Sequence, residues 1–252
     1  MSPAQNGSPP SGSPSSGSPS SGSARDQILA RVRAATGTAT AAAADAAYAA
    51  LPRDYLRAHH DTAVHDITEL FAERAADYRA VVEREPASSL AAAVARILSA
   101  RAAEAPGGSG GSGGSRGAGP ILIPAGLPAA WLAELPTRVR QATDDPPLSA
   151  TELDRAAGVV TGCAVAIAET GTIILDHGPG QGRRALTLVP DFHLVVVQAD
   201  QVAADLPDAF ARLDPARPHT LISGPSATSD IELIRVEGVH GPRKLHILIA
   251  VP

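Results

Sequence analysis

Apolar residues recur along the first hundred positions with the spacing of one helical face. Ile28 and Val32, four positions apart, are typical of such a face. The spacing predicts three helices: over 25–35, from a cap at Asp61 or Thr62 through Phe71, and over 88–103. Val81-Val82 lies between the last two, so the order there is helix, strand, helix.

The second half of the chain has a different pattern, in which short runs of consecutive apolar residues alternate with helical segments. Helices are expected over 149–157 and 205–213. Strands are predicted over 121–123, 159–160, 165–168, 173–175, 194–197, 220–222, 231–234 and 245–251. Continuous apolar strands separated by helices indicate an α/β fold with one largely parallel, buried sheet. Ligands of such sheets bind at loops beyond the strand ends.

Composition divides the chain of 252 residues further. Residues 1–24 are almost entirely Ser, Gly and Pro, which predicts a disordered tail because they offer no apolar surface to bury. A helical extension is expected over 25–60 and the α/β domain over 61–252. Within that domain, the Gly/Ser run at 107–119 predicts a flexible surface loop.

Charge and cysteine content exclude several classes of function. The net charge is −5, and no basic stripe with interleaved aromatic residues is present, which argues against nucleic-acid binding. Cys163 is the single cysteine, so the chain alone forms neither an internal disulfide nor an all-cysteine metal cluster. Histidine spacing matches no metal site, and we expect neither a metal nor a cofactor. With no signal-like or membrane-spanning apolar run, we expect a cytoplasmic protein.

Two segments at predicted strand ends place acids and hydroxyl groups beside glycines. Glu169, Thr170 and Gly171 interrupt two apolar strands. The glutamate is either a nucleophile or base facing a ligand, with Thr170 and Gly171 as candidate ligand-binding residues, or part of a hairpin turn facing water. The segment from Ser223 to Asp230 offers hydroxyl and amide donors for an oxyanion or phosphate, or is an ordinary turn. Its candidate ligand-binding residues are Ser223, Gly224, Ser226 and Asp230.

Two further segments supply cationic or titratable groups. His240, between Val239 and Gly241, is a candidate acid–base residue, and Gly241 a candidate ligand-binding residue; the alternative is a simple chain reversal. Arg183 and Arg184 follow a glycine-rich stretch and can bind carboxylate or phosphate, or are exposed residues of a mobile loop.

These segments together resemble one family, the LUD-domain proteins, and most closely its LutC/YkgG lactate-utilisation branch. The resemblance rests on three ordered signatures: 161–172; Gly182-Arg183-Arg184 with Leu188-Val189-Pro190 and His193; and 223–232 followed by 238–242. It implies a fold like that of the NagB/RpiA/CoA-transferase-like group, a mostly parallel sheet with flanking helices. Glu169-Thr170-Gly171 is similar to the Glu-Asn-Gly segment that carries the nucleophile of CoA-transferases.

The resemblance also implies a function, and two rivals stay open beside it. The leading hypothesis is a non-redox component of a system that oxidises L-lactate to pyruvate, acting with iron–sulfur partner proteins. One rival is a stand-alone enzyme that uses Glu169 on a small phosphorylated or acyl substrate. The other is a scaffold that binds proteins only. Whether the chain is itself an enzyme is left open by its residues.

Overall fold

The structure is a computed structural model, which describes residues 23–37, 40–55, 66–104, 119–228, 236–237 and 241–252. The chain divides into two units, 1–55 and 56–252. The predicted tail except for Ser23 and Ala24, the Gly/Ser loop except for its last residue, the boundary at residue 60 and the predicted strand at 231–234 lie outside the described residues. The domain limits therefore stay a prediction. Within the described ranges, every helix falls short of the length and apolar character that a bilayer-spanning segment requires.

The described part of the first unit contains two helices, α1 (Ala24–Thr36) and α2 (Ala41–Ala49). The predicted helix at 25–35 is confirmed as α1. Ser23 and Asp26 cap it reciprocally, each side chain accepting a hydrogen bond from the other residue's backbone N–H. Thr40 caps α2 by accepting from the N–H of Ala43. Neither helix contains a buried residue.

The first elements in the described part of the second unit are α3 (Ile67–Asp77), β1 (Val81–Pro86) and α4 (Leu90–Ala103), which confirms the predicted order of helix, strand and helix. The predicted cap of α3 at Asp61 or Thr62 is wrong. Asp66 is the cap, because its carboxylate accepts hydrogen bonds from the N–H groups of Thr68 and Glu69. The pattern at 88–103 is confirmed, since the inner positions of α4 are buried.

A six-stranded parallel sheet forms the centre of this unit, with strand order β1-β12-β7-β4-β2-β3. Its other strands are β2 (Ile121–Leu122), β3 (Gln141–Ala142), β4 (Gly158–Thr161), β7 (Phe192–Gln198) and β12 (Lys244–Val251). Helix α5 (Ala150–Arg155) leads into β4. Every pair in the sheet is parallel. The predicted α/β fold with a mostly parallel sheet and flanking helices is confirmed.

The expectation of a single sheet is wrong, because a second sheet covers one face of the first. It has the order β8-β5-β6-β9, formed by β5 (Val165–Ile167), β6 (Thr172–Leu175), β8 (Val202–Ala203) and β9 (Thr220–Ile222). Helix α6 (Leu206–Ala211) follows β8. Strands β5 and β6 are antiparallel. Only four residues join them, whereas a parallel connection needs a crossover of roughly a dozen.

Strand alternation gives the parallel sheet two separate cores. One face of β7 and β12 presents Val195, Val197 and Ile247 to α3 and the second sheet. The other face presents Val196 and Leu248 to α4. A short two-stranded pair, β10 (Ala227–Thr228) with β11 (Val236–Glu237), follows β9 and precedes β12.

Two glycine turns of the second sheet lie directly against the carboxyl end of α3. Gly171 has a φ of +59°, and a Cβ there would lie 2.5 Å from the backbone N of Ala75. Gly224 has a φ of +90°, and its Cβ would lie 2.7 Å from the carbonyl O of Tyr78. Only glycine satisfies both the positive φ and the close approach. The end of α3 therefore positions both the 168–171 turn and the loop after β9.

We expect Gly171→Ala to lower the free energy of unfolding by about 2 kcal/mol or more, since the new methyl group would meet backbone atoms at a positive φ. Gly162→Ala is the matched control. Its added Cβ would lie 3.6 Å from the Trp131 ring, an ordinary contact, so we expect a change within about 1 kcal/mol. Urea unfolding of both variants measures the difference, and equal losses would contradict the proposed role of this contact.

Candidate functional site

A cavity of about 240 Å³ lies between the two sheets, at the amino ends of β7 and β12. His193 and Leu245, the second residues of these strands, are paired in register and both line it. The opposite wall is the end of β9 and the loop that follows, from Leu221 to Ser226. The cavity thus lies at the amino ends of central strands, whereas ligands of open α/β sheets usually bind at the carboxyl ends.

Hydrogen bonds hold the loop after β9 in place. The N–H of Ser226 donates to the carbonyl O of Pro242 at 2.8 Å, which joins this loop to the segment that leads into β12. The hydroxyl of Ser223 lies 2.7 Å from that of Thr172, and the hydroxyl of Thr172 lies 2.7 Å from that of Thr170. A chain of three hydroxyl groups therefore connects the cavity wall with the β5–β6 turn.

His193 contributes a neutral imidazole to the cavity. Its side chain is almost fully buried, and its Nε2 lies 2.8 Å from the Thr161 hydroxyl. Burial, together with the positive charge of Arg184, lowers the pKa of His193 from 6.5 to about 3. The ring is therefore uncharged at neutral pH. It can donate or accept a hydrogen bond but supplies no positive charge.

Arg184 is the cationic residue of the cavity. It begins a short 3₁₀ helix, Arg184–Thr187, whose Thr187 also lines the cavity. Among the residues that the structure describes, no carboxylate lies within ion-pair distance of Arg184. A guanidinium with surrounding hydroxyl groups suits a small anion, because it offers planar, charge-assisted hydrogen bonds. The volume is below the range of roughly 300–1,000 Å³ typical of larger ligands.

The cavity brings together five of the residues that the sequence singled out: Arg184, Ser223, Gly224, Ser226 and Gly241. Glu169 is half-buried in the β5–β6 turn with Thr170 and Gly171, and none of these three lines the cavity. His240 and Asp230 lie outside the described residues.

Arg183 is placed differently from its neighbour Arg184. Its guanidinium binds both oxygens of Asp144, with Nη2 2.9 Å from Oδ1, and Nη2 also donates to the carbonyl O of Leu148 at 2.8 Å. The hydrogen bonds from Arg183 and from the Leu148 N–H hold the pKa of Asp144 below its ordinary value, although burial opposes them. Arg183 therefore connects the 3₁₀ helix to the segment before α5, away from the cavity.

Sequence reasoning did not select His193, Thr187 or Thr161 as site residues. His193 could have been selected, because it is a polar residue next to the apolar run of β7. It was named only as part of a family signature. Thr187 and Thr161 carry no such signal. No group of three or more His, Cys, Asp or Glu side chains within the described ranges is arranged to hold a metal ion.

Comparison with known proteins identifies the family of this chain. The family model described as "LUD domain" matches residues 56–250, more than three quarters of the chain. The chain belongs to the LUD-domain family. The match spans almost the whole of the second unit, including every strand of both sheets.

Proteins similar to this chain occur in several bacteria. "Lactate utilization protein C" of Deinococcus radiodurans is 46% identical over 188 residues, which is 73% of this chain and 79% of that protein. "Uncharacterized protein YkgG" of Escherichia coli is 34% identical over 42% of this chain and 50% of that protein. The crystal structure of a "duf162 family protein" from Deinococcus radiodurans is 40% identical. It superposes with a TM-score of 0.56 over 74% of this chain and 97% of that one.

The two adjacent arginines of this LUD domain should respond differently to substitution. Arg184→Gln should weaken binding of a small carboxylate anion about tenfold or more, because a charge-assisted hydrogen bond is worth about 1.5–3 kcal/mol. Arg183→Gln should leave that affinity unchanged and lower the free energy of unfolding instead. Calorimetric titration and urea unfolding of both variants test this. Equal loss of anion affinity in the two would contradict the assignment of Arg184 to the cavity.

Burial of His193 should make the stability of the LUD domain depend on pH. Between its unfolded pKa of about 6.5 and its folded pKa of about 3, the unfolded state binds a proton that the folded state does not. The contribution of the neutral His193 to the free energy of unfolding is therefore complete above pH 6.5. Below pH 6.5 that free energy falls by up to about 1.4 kcal/mol per pH unit.

His193→Asn removes this titration while keeping a polar partner for Thr161. The difference in unfolding free energy between the wild type and this variant should therefore shrink by about 1–2 kcal/mol from pH 7 to pH 5. Urea unfolding at several pH values measures it. Parallel stability curves would show that His193 does not titrate as its burial requires.

Proposed function

We propose that this chain is a non-redox component of an L-lactate utilisation system and binds a small monocarboxylate in the cavity between its two sheets. Similarity to a protein named "Lactate utilization protein C" over most of both chains supports the pathway. The observation that supports a monocarboxylate ligand is that Arg184 and an uncharged His193 line the same small cavity. One fixed positive charge matches a monocarboxylate better than a phosphate dianion.

The proposal includes iron–sulfur partner proteins as the site of electron transfer. Cys163 is the only cysteine of the chain and is buried, and burial raises the pKa of its thiol to about 12. The thiolate form, which metal ligation requires, is therefore strongly disfavoured. Oxidation of lactate releases two electrons, and this chain offers no cysteine cluster to receive them, so we assign that step to partner proteins.

The alternative is a stand-alone enzyme that uses Glu169 on a small phosphorylated or acyl substrate. The chain of hydroxyl groups from Thr170 through Thr172 to Ser223 favours it, because it connects the turn that carries Glu169 with the cavity wall. Against it, the Glu169 side chain does not line that cavity. We therefore prefer the first proposal.

Growth of a deletion strain complemented with variants separates the two proposals. A strain lacking this gene and any paralogue should fail to grow on L-lactate but grow normally on glucose. Wild type and Glu169→Gln should restore growth, and Arg184→Gln should restore it poorly.

From lactate-grown cells, tagged wild type should co-purify with iron–sulfur proteins.

Two outcomes would count against the first proposal. Normal growth of the deletion strain on L-lactate would remove the pathway assignment. Restoration by Arg184→Gln but not by Glu169→Gln would favour the enzyme that uses Glu169.

A further inference from the structure

A second cavity, of about 410 Å³, lies on the opposite face of the β7–β12 pair. Phe192, Lys244 and His246 line it, and Phe192 alternates along β7 with His193, which lines the first cavity. Leu245 lines both cavities. Helix α4 forms the facing wall through Ile97, Ala100 and Arg101. Its volume falls within the range of roughly 300–1,000 Å³ that is typical of organic ligands.

The inner part of this cavity is apolar and aromatic. Phe192 is only 6% exposed, and its ring contacts the His246 ring edge-on, with centroids 6.4 Å apart. The guanidinium of Arg101 lies 5.6 Å from the centroid of the same ring. Ile97 and Ala100 continue the apolar surface along α4. An occupant therefore needs an apolar body.

The rim of the cavity is cationic. The lining contains five basic residues, Arg79, Arg96, Arg101, Arg243 and Lys244, and one carboxylate, that of Glu104. Three further carboxylates, of Glu83, Glu85 and Asp191, lie behind this rim and bind Arg96 and Arg243. Within the lining itself, cationic side chains therefore outnumber carboxylates, which favours an anionic occupant.

Glu104 holds the position that an external anion would take. Its Oε2 lies 3.0 Å from Lys244 Nζ and 3.5 Å from Arg101 Nη1. Arg101 is fixed independently, since its Nε donates to the carbonyl O of Ala157 at 2.8 Å. The Glu104 side chain is 54% exposed at the end of α4, so it can leave at small cost. Arg101 and Lys244 thus form an arranged pair of donors that already binds a carboxylate.

We propose that the second cavity binds an amphipathic organic anion. Its carboxylate or sulfonate replaces that of Glu104 between Arg101 and Lys244, and its apolar body lies on Phe192 and Ile97. This site is separate from the monocarboxylate cavity and does not rest on the proposed role in lactate utilisation.

Fluorescence titration of the full chain with 8-anilinonaphthalene-1-sulfonate tests the site, because the probe combines an anionic group with an aromatic body. Glu104→Gln should raise its affinity about twofold to fivefold, since an exposed competing ion pair is worth up to about 1 kcal/mol. Lys244→Gln should lower it about fivefold to tenfold. Decanoate should displace the probe, and acetate at the same concentration should not.

Two controls separate this site from non-specific binding. Arg212→Gln removes a cation that pairs with Asp208 on α6, outside both cavities, and should leave the affinity unchanged. The neutral analogue N-phenyl-1-naphthylamine should not distinguish the Glu104 and Lys244 variants from the wild type. Both variants change exposed side chains, and circular dichroism verifies that they fold.

The single lysine of the chain allows a direct measurement at the site. Reductive methylation with ¹³C-formaldehyde labels only Lys244 and the amino terminus, and it keeps their charge. Decanoate should shift the Lys244 resonance saturably, and Glu104→Gln should shift it without ligand. A Lys244 resonance that does not shift with decanoate would overturn the proposal. Equal probe affinity of the wild type, Glu104→Gln and Lys244→Gln would also overturn it.

Discussion

Parallel pairing of β7 with β12 is the constraint on which the rest of this structure depends. Seven residues of each strand are paired in register at the centre of the six-stranded sheet. Because successive side chains point to opposite faces, the pairing sends His193 towards the second sheet and Phe192 towards α4. A shift of one residue in either strand would send the side chains of that strand to the opposite faces of the sheet and disrupt both cavities.

Ionic and backbone contacts fix that register at the amino ends. Asp191 directly precedes β7, and Arg243 directly precedes β12. The Arg243 guanidinium binds both oxygens of Asp191, with Nη2 2.9 Å from Oδ2, and the N–H of Lys244 donates to the carbonyl O of Asp191. Burial would raise the pKa of Asp191, but Arg243 lowers it below its ordinary value, so the carboxylate stays charged in this position.

The elements that the sequence predicted each have a local cause, whereas the short strands β3 and β8 and the helix α2 were not predicted. Residues 88–103 carry a helical apolar face, and 194–197 form an uninterrupted apolar run, so both could be identified without tertiary information. The four-residue turn 168–171 also indicated a hairpin, which was one of the two interpretations of Glu169 and is the one that joins β5 to β6. The alternation of strands and helices nevertheless suggested a single, largely parallel sheet.

The composition of the site was less predictable, because it depends on contacts distant in the chain. Arg183 and Arg184 are neighbours with the same side chain, and the pattern around them does not distinguish them. Asp144, 39 residues before Arg183, binds Arg183, whereas Arg184 lines the cavity. In the same way, His193 is neutral because of its burial, and the groups around it include residues of β9 and the following loop that are distant in the chain.

Contacts at the other end of the strands explain why the first cavity lies at the amino ends. The Gln201 side chain joins the residues that follow β4 and end β7: its Nε2 donates to the carbonyl O of Cys163 at 2.8 Å, and its Oε1 accepts from the N–H of Gln198 at 2.9 Å. The carboxyl ends of these two strands are thereby tied together by protein groups. At the amino ends, the space between the sheets is the first cavity, and the loop after β9 lines it. This loop contributes hydroxyl groups and Gly224, which packs against the end of α3. The second sheet, absent from a simple parallel α/β arrangement, therefore determines where this LUD domain can receive a ligand.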